Sequence, residues 1–184
     1  KKSAHSVANT HKSTMSGFKK GVDFSSASLD GKNLKIGIVV ARWNSKITDA
    51  LAEGCMKSLK EAKVQEGNIT LVRVAGSFEL PFGAKMLIEK NKVDAVICIG
   101  TLIKGETMHF EYICESVSRA IMNLGMSSGI PVIFGVLTCL SDEQALARAG
   151  LTKGGHNHGL DWGKTAVEMA SMKNASSFPF LSSS

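Results

Sequence analysis

Four nearly continuous apolar runs, rich in valine and isoleucine, stand out along the chain. They cover residues 34–41, 69–75, 95–100 and 131–138. Runs of this length, without alternation of apolar and polar positions, are typical of strands that are covered on both faces. The pattern therefore predicts four buried strands.

Helical periodicity fills the stretches between these runs. Apolar residues recur three or four positions apart, as Ile47, Leu51, Cys55 and Leu59, as Leu80, Ala84 and Leu87, and as Ile113, Val117, Ile121 and Leu124. A capping box at Ser141 predicts a short helix that ends at Gly150, and a last helix is expected from about Asp161. Strict alternation of strand and helix favours right-handed crossovers. We therefore predict a three-layer α/β/α sandwich around a four-stranded parallel, flavodoxin-like sheet.

Charge divides the chain into a body and two flanks. Residues 1–35 contain seven lysines and two aspartates, so that residues 36–184 carry only +1 of the total charge of +6. We expect a basic N-terminal arm over residues 1–33, one domain over residues 34–173 and a flexible tail over residues 174–184. A nearly neutral body, and an arm without aromatic residues interleaved among its lysines, argue against nucleic-acid binding.

Composition also predicts the cellular setting. The longest apolar runs are far shorter than the roughly 18 residues that span a bilayer, so we expect no membrane contact. The arm lacks arginine and an apolar core, which disfavours a targeting sequence. The four cysteines have no CxxC spacing and lie among apolar residues, as small hydrophobic residues do. We expect reduced thiols and a cytoplasmic protein.

Chemically versatile residues follow the predicted strands. Ligands of open parallel sheets bind beyond the carboxyl ends of the strands, which here lead into residues 42–44, 76–81 and 100–110. Trp43 could stack on a flat heteroaromatic ring, although an aromatic residue there is usually core or lid. Glu79 could accept hydroxyl hydrogen bonds from a polyol, or could simply complement a helix N-terminus. The chain has neither a GxxxxGK[ST] loop nor a GxGxxG motif after a strand, so no nucleotide is implied.

A second group of residues suits phosphate and proton transfer. Thr107, just before the third helix, offers a hydroxyl beside free backbone N–H groups, although it could equally be an N-cap. Arg148 has the planar fork that matches phosphate oxygens; its ordinary alternative is an ion pair with Glu143. His109, in the first turn of the third helix, is a candidate for general acid–base catalysis, although a lone histidine is more often structural.

A glycine-rich loop carries His156 and His158. Two histidines this close, with no cysteine or carboxylate at the usual zinc spacing, make a metal site improbable on chemical grounds, so no metal is predicted. Contact with an anion or a close approach of helices fits the loop better.

Taken together, these segments resemble the lumazine synthase family. The similarity covers about residues 34–173 and rests on motifs in the family's order and spacing, namely Arg42-Trp43-Asn44, Gly76-Ser77-Phe78-Glu79-Leu80-Pro81, residues 100–112, residues 131–138 and residues 143–150. Asn157-His158-Gly159, Asp161-Trp162-Gly163 and Trp43 are similar to fungal members in particular.

The resemblance implies an activity and an assembly. The reaction would be the condensation of 5-amino-6-ribitylaminouracil with 3,4-dihydroxy-2-butanone 4-phosphate to 6,7-dimethyl-8-ribityllumazine, the penultimate step of riboflavin biosynthesis, without a cofactor. The assembly would be a homo-oligomer, either a pentamer, which we expect, or pentamers stacked into an icosahedral shell of sixty subunits, with each active site shared between neighbouring subunits. A catalytically silent flavin-binding module and a basic-arm nucleic-acid adaptor are the alternatives.

Site roles follow from the resemblance residue by residue. His109 would move protons. Contacts to the pyrimidine and its ribityl chain would come from Trp43, Ser77, Phe78, Glu79, Thr101, Leu102, Ile103 and Phe134. Phosphate would be bound by Glu106 through its main chain, by Thr107 and by Arg148. His158, which stands where many relatives carry lysine, is a further candidate for the phosphate.

Overall fold

The computed structural model describes residues 23–24 and 29–175. Its strands and α-helices follow one another as β1 (Ile36–Ala41), α1 (Ser45–Glu61), β2 (Ile69–Val74), α2 (Leu80–Met86), β3 (Ala95–Ile103), α3 (His109–Ser128), β4 (Val132–Cys139), α4 (Asp142–Arg148) and α5 (Gly159–Asn174). The four predicted strands and the helices between them are confirmed, but the prediction that all four strands are buried is wrong for β2, which lies at an edge of the sheet and has no buried residue. Most of the predicted arm and tail lies outside the described residues. Across the described ranges, no helix is both long enough and apolar enough to cross a membrane.

All four strands form one parallel sheet in the order β2-β1-β3-β4. The chain leaves β1 towards one edge of the sheet and returns past it to β3, so these two strands flank the topological switch point. Pairing of β1 with β3 ends at Val40 and Ile99, whereas pairing of β3 with β4 continues to Ile103 and Cys139. Because β4 supports it, β3 extends beyond the predicted end at residue 100.

The sheet separates two hydrophobic layers, which confirms the predicted three-layer sandwich. Successive side chains of a strand point to opposite faces. Ile36, Ile38 and Val40 accordingly pack with α1 and α5. Val39 and Ala41 pack with α2 and α3 on the other face. Every residue of β1 is buried, as the continuous apolar run predicts.

Helices α1 and α5 lie in unusually close contact because two glycines of α5 face α1. A Cβ atom on Gly159 would lie 2.0 Å from the carbonyl oxygen of Leu51, and one on Gly163 would lie 2.0 Å from Oγ of Ser58. Both distances are far below van der Waals contact, so only glycine fits. This contact fixes the start of α5, and with it the glycine-rich loop that precedes the helix.

Two helix ends differ from their predicted positions. Oγ of Ser141 accepts the N–H of Gln144 as the capping box requires, while Oε1 of Gln144 accepts the N–H of Leu140. Helix α4 ends at Arg148 rather than at Gly150, which has a φ of +71° and closes the turn beyond the helix. Helix α5 begins at Gly159, slightly before the predicted start at Asp161.

The cysteines are free thiols, and Cys55, Cys98 and Cys139 are buried. Burial raises the pKa of Cys98 to about 12 and raises that of Cys55 further. Both side chains are therefore protonated and pack as small apolar groups, as predicted.

Candidate active site

A groove of about 630 Å³ opens at the carboxyl ends of β1, β2 and β3. This is the position that the strand order marks out for ligands. The groove is lined by Trp43, Asn44, Ala75, Gly76, Ser77, Phe78, Glu79, Thr101, Leu102, Ile103, Gly105, Thr107, His109, Phe110 and Ile113. The structure thus brings together segments that follow three different strands.

The end of β1 is shaped by Asn44, which adopts the left-handed conformation with φ 59° and ψ 42°. Asparagine tolerates this conformation better than most residues. Its side-chain Nδ2 donates to the carbonyl oxygen of Thr101 at 2.9 Å. The N–H of Trp43 donates to the carbonyl of Ala75 at 3.1 Å, while the indole side chain is 74% exposed. A fixed main chain therefore presents an open aromatic face to the groove.

The segment after β2 turns sharply into α2. Ser77–Glu79 form a 3₁₀ turn, and Oε2 of Glu79 accepts the N–H of Gly76 at 2.8 Å. Ser77 is buried against β3, where a Cβ atom on Gly100 would lie 2.5 Å from its Oγ. Glu79 therefore holds the turn with one carboxylate oxygen while its side chain lines the groove.

The end of β3 leaves main-chain groups open towards the groove. The N–H groups of Val96 and Lys104 donate to carbonyls at the β4 side, so by the alternation of a strand those of Thr101 and Ile103 face the β1 side. Strand β1 has already ended there, and Asn44 occupies the Thr101 carbonyl. Oγ1 of Thr101 is buried without a hydrogen-bond partner among the described residues. This edge can bind a ligand that offers both donors and acceptors.

The start of α3 contributes His109, the first residue of the helix, with an exposed side chain. Its N–H donates to Oγ1 of Thr107 at 3.4 Å, a local contact that precedes the helix, and Thr107 also lines the groove. The nearby Lys104 forms an ion pair with Glu111. The groove is thus lined by an imidazole, a group that can exchange protons with a ligand.

Four predicted site residues do not line the groove of a single chain: Glu106, Phe134, Arg148 and His158. Phe134 is partly exposed on the edge strand β4. Nη1 of Arg148 donates to the carbonyl of Gln144 at 3.2 Å, at the end of α4. None of the described residues that line the groove is a lysine or an arginine.

His158 lies beside Arg148, because its N–H donates to the Arg148 carbonyl at 3.0 Å. Burial lowers the pKa of His158, and electrostatic interaction with His156 and Arg148 lowers it further, whereas Asp161 opposes the shift. In the described ranges, no three His, Cys, Asp or Glu residues are grouped as a metal site.

Some lining residues were not predicted as site residues. Asn44 could have been suspected, because asparagine after a strand tolerates a left-handed turn, but its bond to Thr101 depends on the register of two strands that are distant in sequence. Phe110 and Ile113 face the groove from α3. In the sequence, Ile113 belongs to the core periodicity of that helix and cannot be distinguished from it.

An α/β sandwich with a polar and aromatic groove at its topological switch point is typical of enzymes that bind small molecules beyond the carboxyl ends of parallel strands. Residues 33–174 match the family model described as 6,7-dimethyl-8-ribityllumazine synthase. The protein of that name from Schizosaccharomyces pombe is 54% identical and is matched over 77% of this chain and 89% of its own length. The one from Pyricularia oryzae is 43% identical, with 76% and 88% covered. This chain belongs to the 6,7-dimethyl-8-ribityllumazine synthase family.

Proposed function

We propose that the groove condenses 5-amino-6-ribitylaminouracil with 3,4-dihydroxy-2-butanone 4-phosphate to 6,7-dimethyl-8-ribityllumazine, releasing phosphate and water. The family to which the chain belongs catalyses this step of riboflavin biosynthesis. The observation that carries the assignment of the site is the convergence of Trp43, Glu79, Thr101 and His109 on one groove. These side chains suit a flat ring, a polyol and proton transfer.

The chemistry consists of additions and eliminations. The 5-amino group attacks the ketone carbonyl, and water leaves to give an imine. Loss of a proton from the neighbouring carbon and of phosphate gives an enol, which tautomerises to a ketone. The ribityl-bearing nitrogen attacks this new carbonyl and closes the second ring with loss of another water. No electrons are gained or lost, so the protein needs only to hold the two substrates together and to move protons.

The pyrimidine end of the site uses the edge of β3. Trp43 stacks on the ring, and the open main-chain groups of Ile103 pair with its amide and carbonyl groups, beside Thr101 and Leu102. Ser77, Phe78 and Glu79 border the ribityl chain. This arrangement is supported by the exposure of the Trp43 indole and by the end of β1 at the switch point.

The phosphate end of the site requires a cation that one chain does not bring to its own groove. Phosphate is most strongly recognised by a guanidinium group, and the described lining of the groove has no lysine or arginine. We infer that Arg148, with Phe134 over the ring, comes from a neighbouring subunit and meets Thr107 and the main chain of Glu106. Sharing of this kind arises in a head-to-tail ring.

A ring of subunits, which we propose to be a pentamer, is also supported by exposed apolar side chains. Tyr112, Met122 and Met126 of α3 are largely exposed in the single chain, as is Phe82 of α2. Large apolar surfaces on an isolated chain commonly mark an interface. We also propose a cytoplasmic location, which the four free thiols support.

The proposal is tested by mixing the protein with both substrates in a buffer that contains EDTA. We expect the absorbance of 6,7-dimethyl-8-ribityllumazine to rise well above the rate of the protein-free mixture, and equally with or without the chelator. Omission of either substrate should abolish the signal.

The same preparation should be titrated with riboflavin, with the fluorescence of Trp43 recorded in a Trp162→Phe background. A flavin that quenches Trp43 while the protein leaves the condensation at its protein-free rate would contradict the proposed function. That outcome would favour a flavin-binding module instead.

A further inference from the structure

The glycine-rich loop before α5 is anchored to α1 and to the start of α5 by hydrogen bonds and close packing. Nδ2 of Asn157 donates to the carbonyl of Ala50 at 2.7 Å, and its Oδ1 accepts the N–H of Gly159 at 2.8 Å. Gly159 itself packs against the main chain of α1 at Leu51. The two histidines that flank Asn157 therefore project from a fixed support.

One carboxylate oxygen serves both histidines. Oδ2 of Asp161 lies 2.7 Å from Nε2 of His156, which is a direct hydrogen bond, and 3.9 Å from Nδ1 of His158. The longer distance is outside hydrogen-bond range but within reach of charge interaction. The imidazole centroids are 5.3 Å apart, and the Asp161 side chain is only 14% exposed. His156 and His158 thus compete for the same negative charge.

His158 is coupled in turn to Arg148. The His158 N–H donates to the Arg148 carbonyl, and Ala149 forms a bridge with Asn157. The charged groups that act on His158 come from three places, namely Asp161 on α5, Arg148 on α4 and His156 on the loop. On the side of α1, the Ala50 carbonyl accepts the hydrogen bond from Asn157. The charged residue beside it on that helix, Asp49, forms an ion pair with Arg73.

We propose that Asp161 and His156 together control the positive charge that His158 adds to Arg148, and so make phosphate binding at this site depend on pH. The inference rests on the proposed function insofar as Arg148 binds the phosphate of the ketone. It assigns to Asp161 and His156 the part of positioning residues, which act on the bound anion through His158.

The direction of the effect follows from the environment of His158. Its pKa is lowered below the ordinary value of 6.5, mainly by burial. The imidazole is therefore neutral at pH 7 and becomes positive as the pH falls through that lowered pKa. Anion affinity should rise over the same interval. Removal of the Asp161 charge should move the transition to lower pH, whereas removal of His156 should move it to higher pH.

The experiment measures the affinity of the assembled protein for inorganic sulfate by calorimetry between pH 5 and pH 8. Sulfate keeps its charge throughout this range, unlike phosphate, so any transition belongs to the protein. We expect the midpoint to shift by about half to one pH unit downwards in Asp161→Asn and upwards in His156→Ala. His158→Asn should abolish the transition. The midpoint is compared rather than the absolute affinity, because Asp161→Asn also removes a negative charge near the anion.

The matched control is Glu168→Gln, which removes a negative charge from an exposed position of the same helix. It should leave the midpoint unchanged. Circular dichroism and the size of the assembly verify that each variant is folded. Unshifted midpoints in both Asp161→Asn and His156→Ala, or a transition that persists in His158→Asn, would overturn the inference. Arg148→Ala tests the proposed function separately, since sulfate affinity that is indifferent to this change would reject the phosphate site itself.

Discussion

His109→Ala should slow turnover by roughly 10- to 1,000-fold and leave the fold intact. His109 is the first residue of α3, and its side chain is exposed and lines the groove. Its removal should therefore change the free energy of unfolding little. Turnover should not fall to zero, because part of this condensation proceeds in water without an enzyme. Measurement of kcat and of both KM values, with thermal unfolding of the same samples, separates catalysis from stability.

Met108→Ala is the matched control for His109→Ala. Met108 is the preceding residue, is exposed and does not line the groove. Its replacement should leave kcat within about twofold of the original value. Near-normal turnover and normal KM values in His109→Ala would show that the histidine is not the group that moves protons.

Arg148→Ala should raise the KM for the phosphorylated ketone by about 10- to 100-fold, with little change in the KM for the pyrimidine. The reason is that the change removes a charge-assisted contact to phosphate alone, worth about 1.5–3 kcal/mol. Arg148→Lys should restore only part of the loss, because an ammonium group cannot reproduce the planar fork. Steady-state kinetics with each substrate varied in turn gives the two KM values.

Arg119→Ala is the matched control, because it removes an exposed arginine that has no proposed contact with the substrate. Arg119 pairs with Glu115 on the surface of α3. Its replacement should leave both KM values nearly unchanged. An Arg148→Ala variant whose two KM values rise to the same degree would contradict the assignment of Arg148 to phosphate.

The sequence allowed the fold to be predicted because its local and global patterns agree. Continuous apolar runs identify strands covered on both faces, and β1 is indeed buried along its whole length. The end of a strand was predicted less well where its length depends on pairing with a neighbouring strand. β3 extends to Ile103 because β4 pairs with it there, and nothing in the local sequence of residues 101–103 predicts that pairing.

The groove could be located from sequence because parallel strands end at one edge, so that Trp43, Glu79 and His109 had to come close together. The contacts that side chains make across that edge could not be predicted from sequence. The bond from Asn44 to Thr101 depends on the three-dimensional separation of β1 and β3. The hydrogen bond from His156 to Asp161 likewise crosses from a loop to a helix, whereas the sequence of the loop indicated contact with an anion or a close approach of helices and gave no sign of this bond.

The central claim is that each active site is built from two chains, with Trp43, Glu79 and His109 on one and Phe134 and Arg148 on the next. It is tested most directly by complementation between Glu79→Ala and Arg148→Ala subunits, each impaired in a different half of the shared site, with the ketone phosphate held well below the KM of Arg148→Ala so that both parents have low activity. The two variants are unfolded, mixed in equal amounts and reassembled, and exchange is verified by mass spectrometry of differently tagged chains. Random assembly should give about a quarter of the interfaces two intact halves, so the activity should rise to about a quarter of the original value, above either parent. Mixed assemblies that show no more activity than their parents would mean that each chain completes its own site.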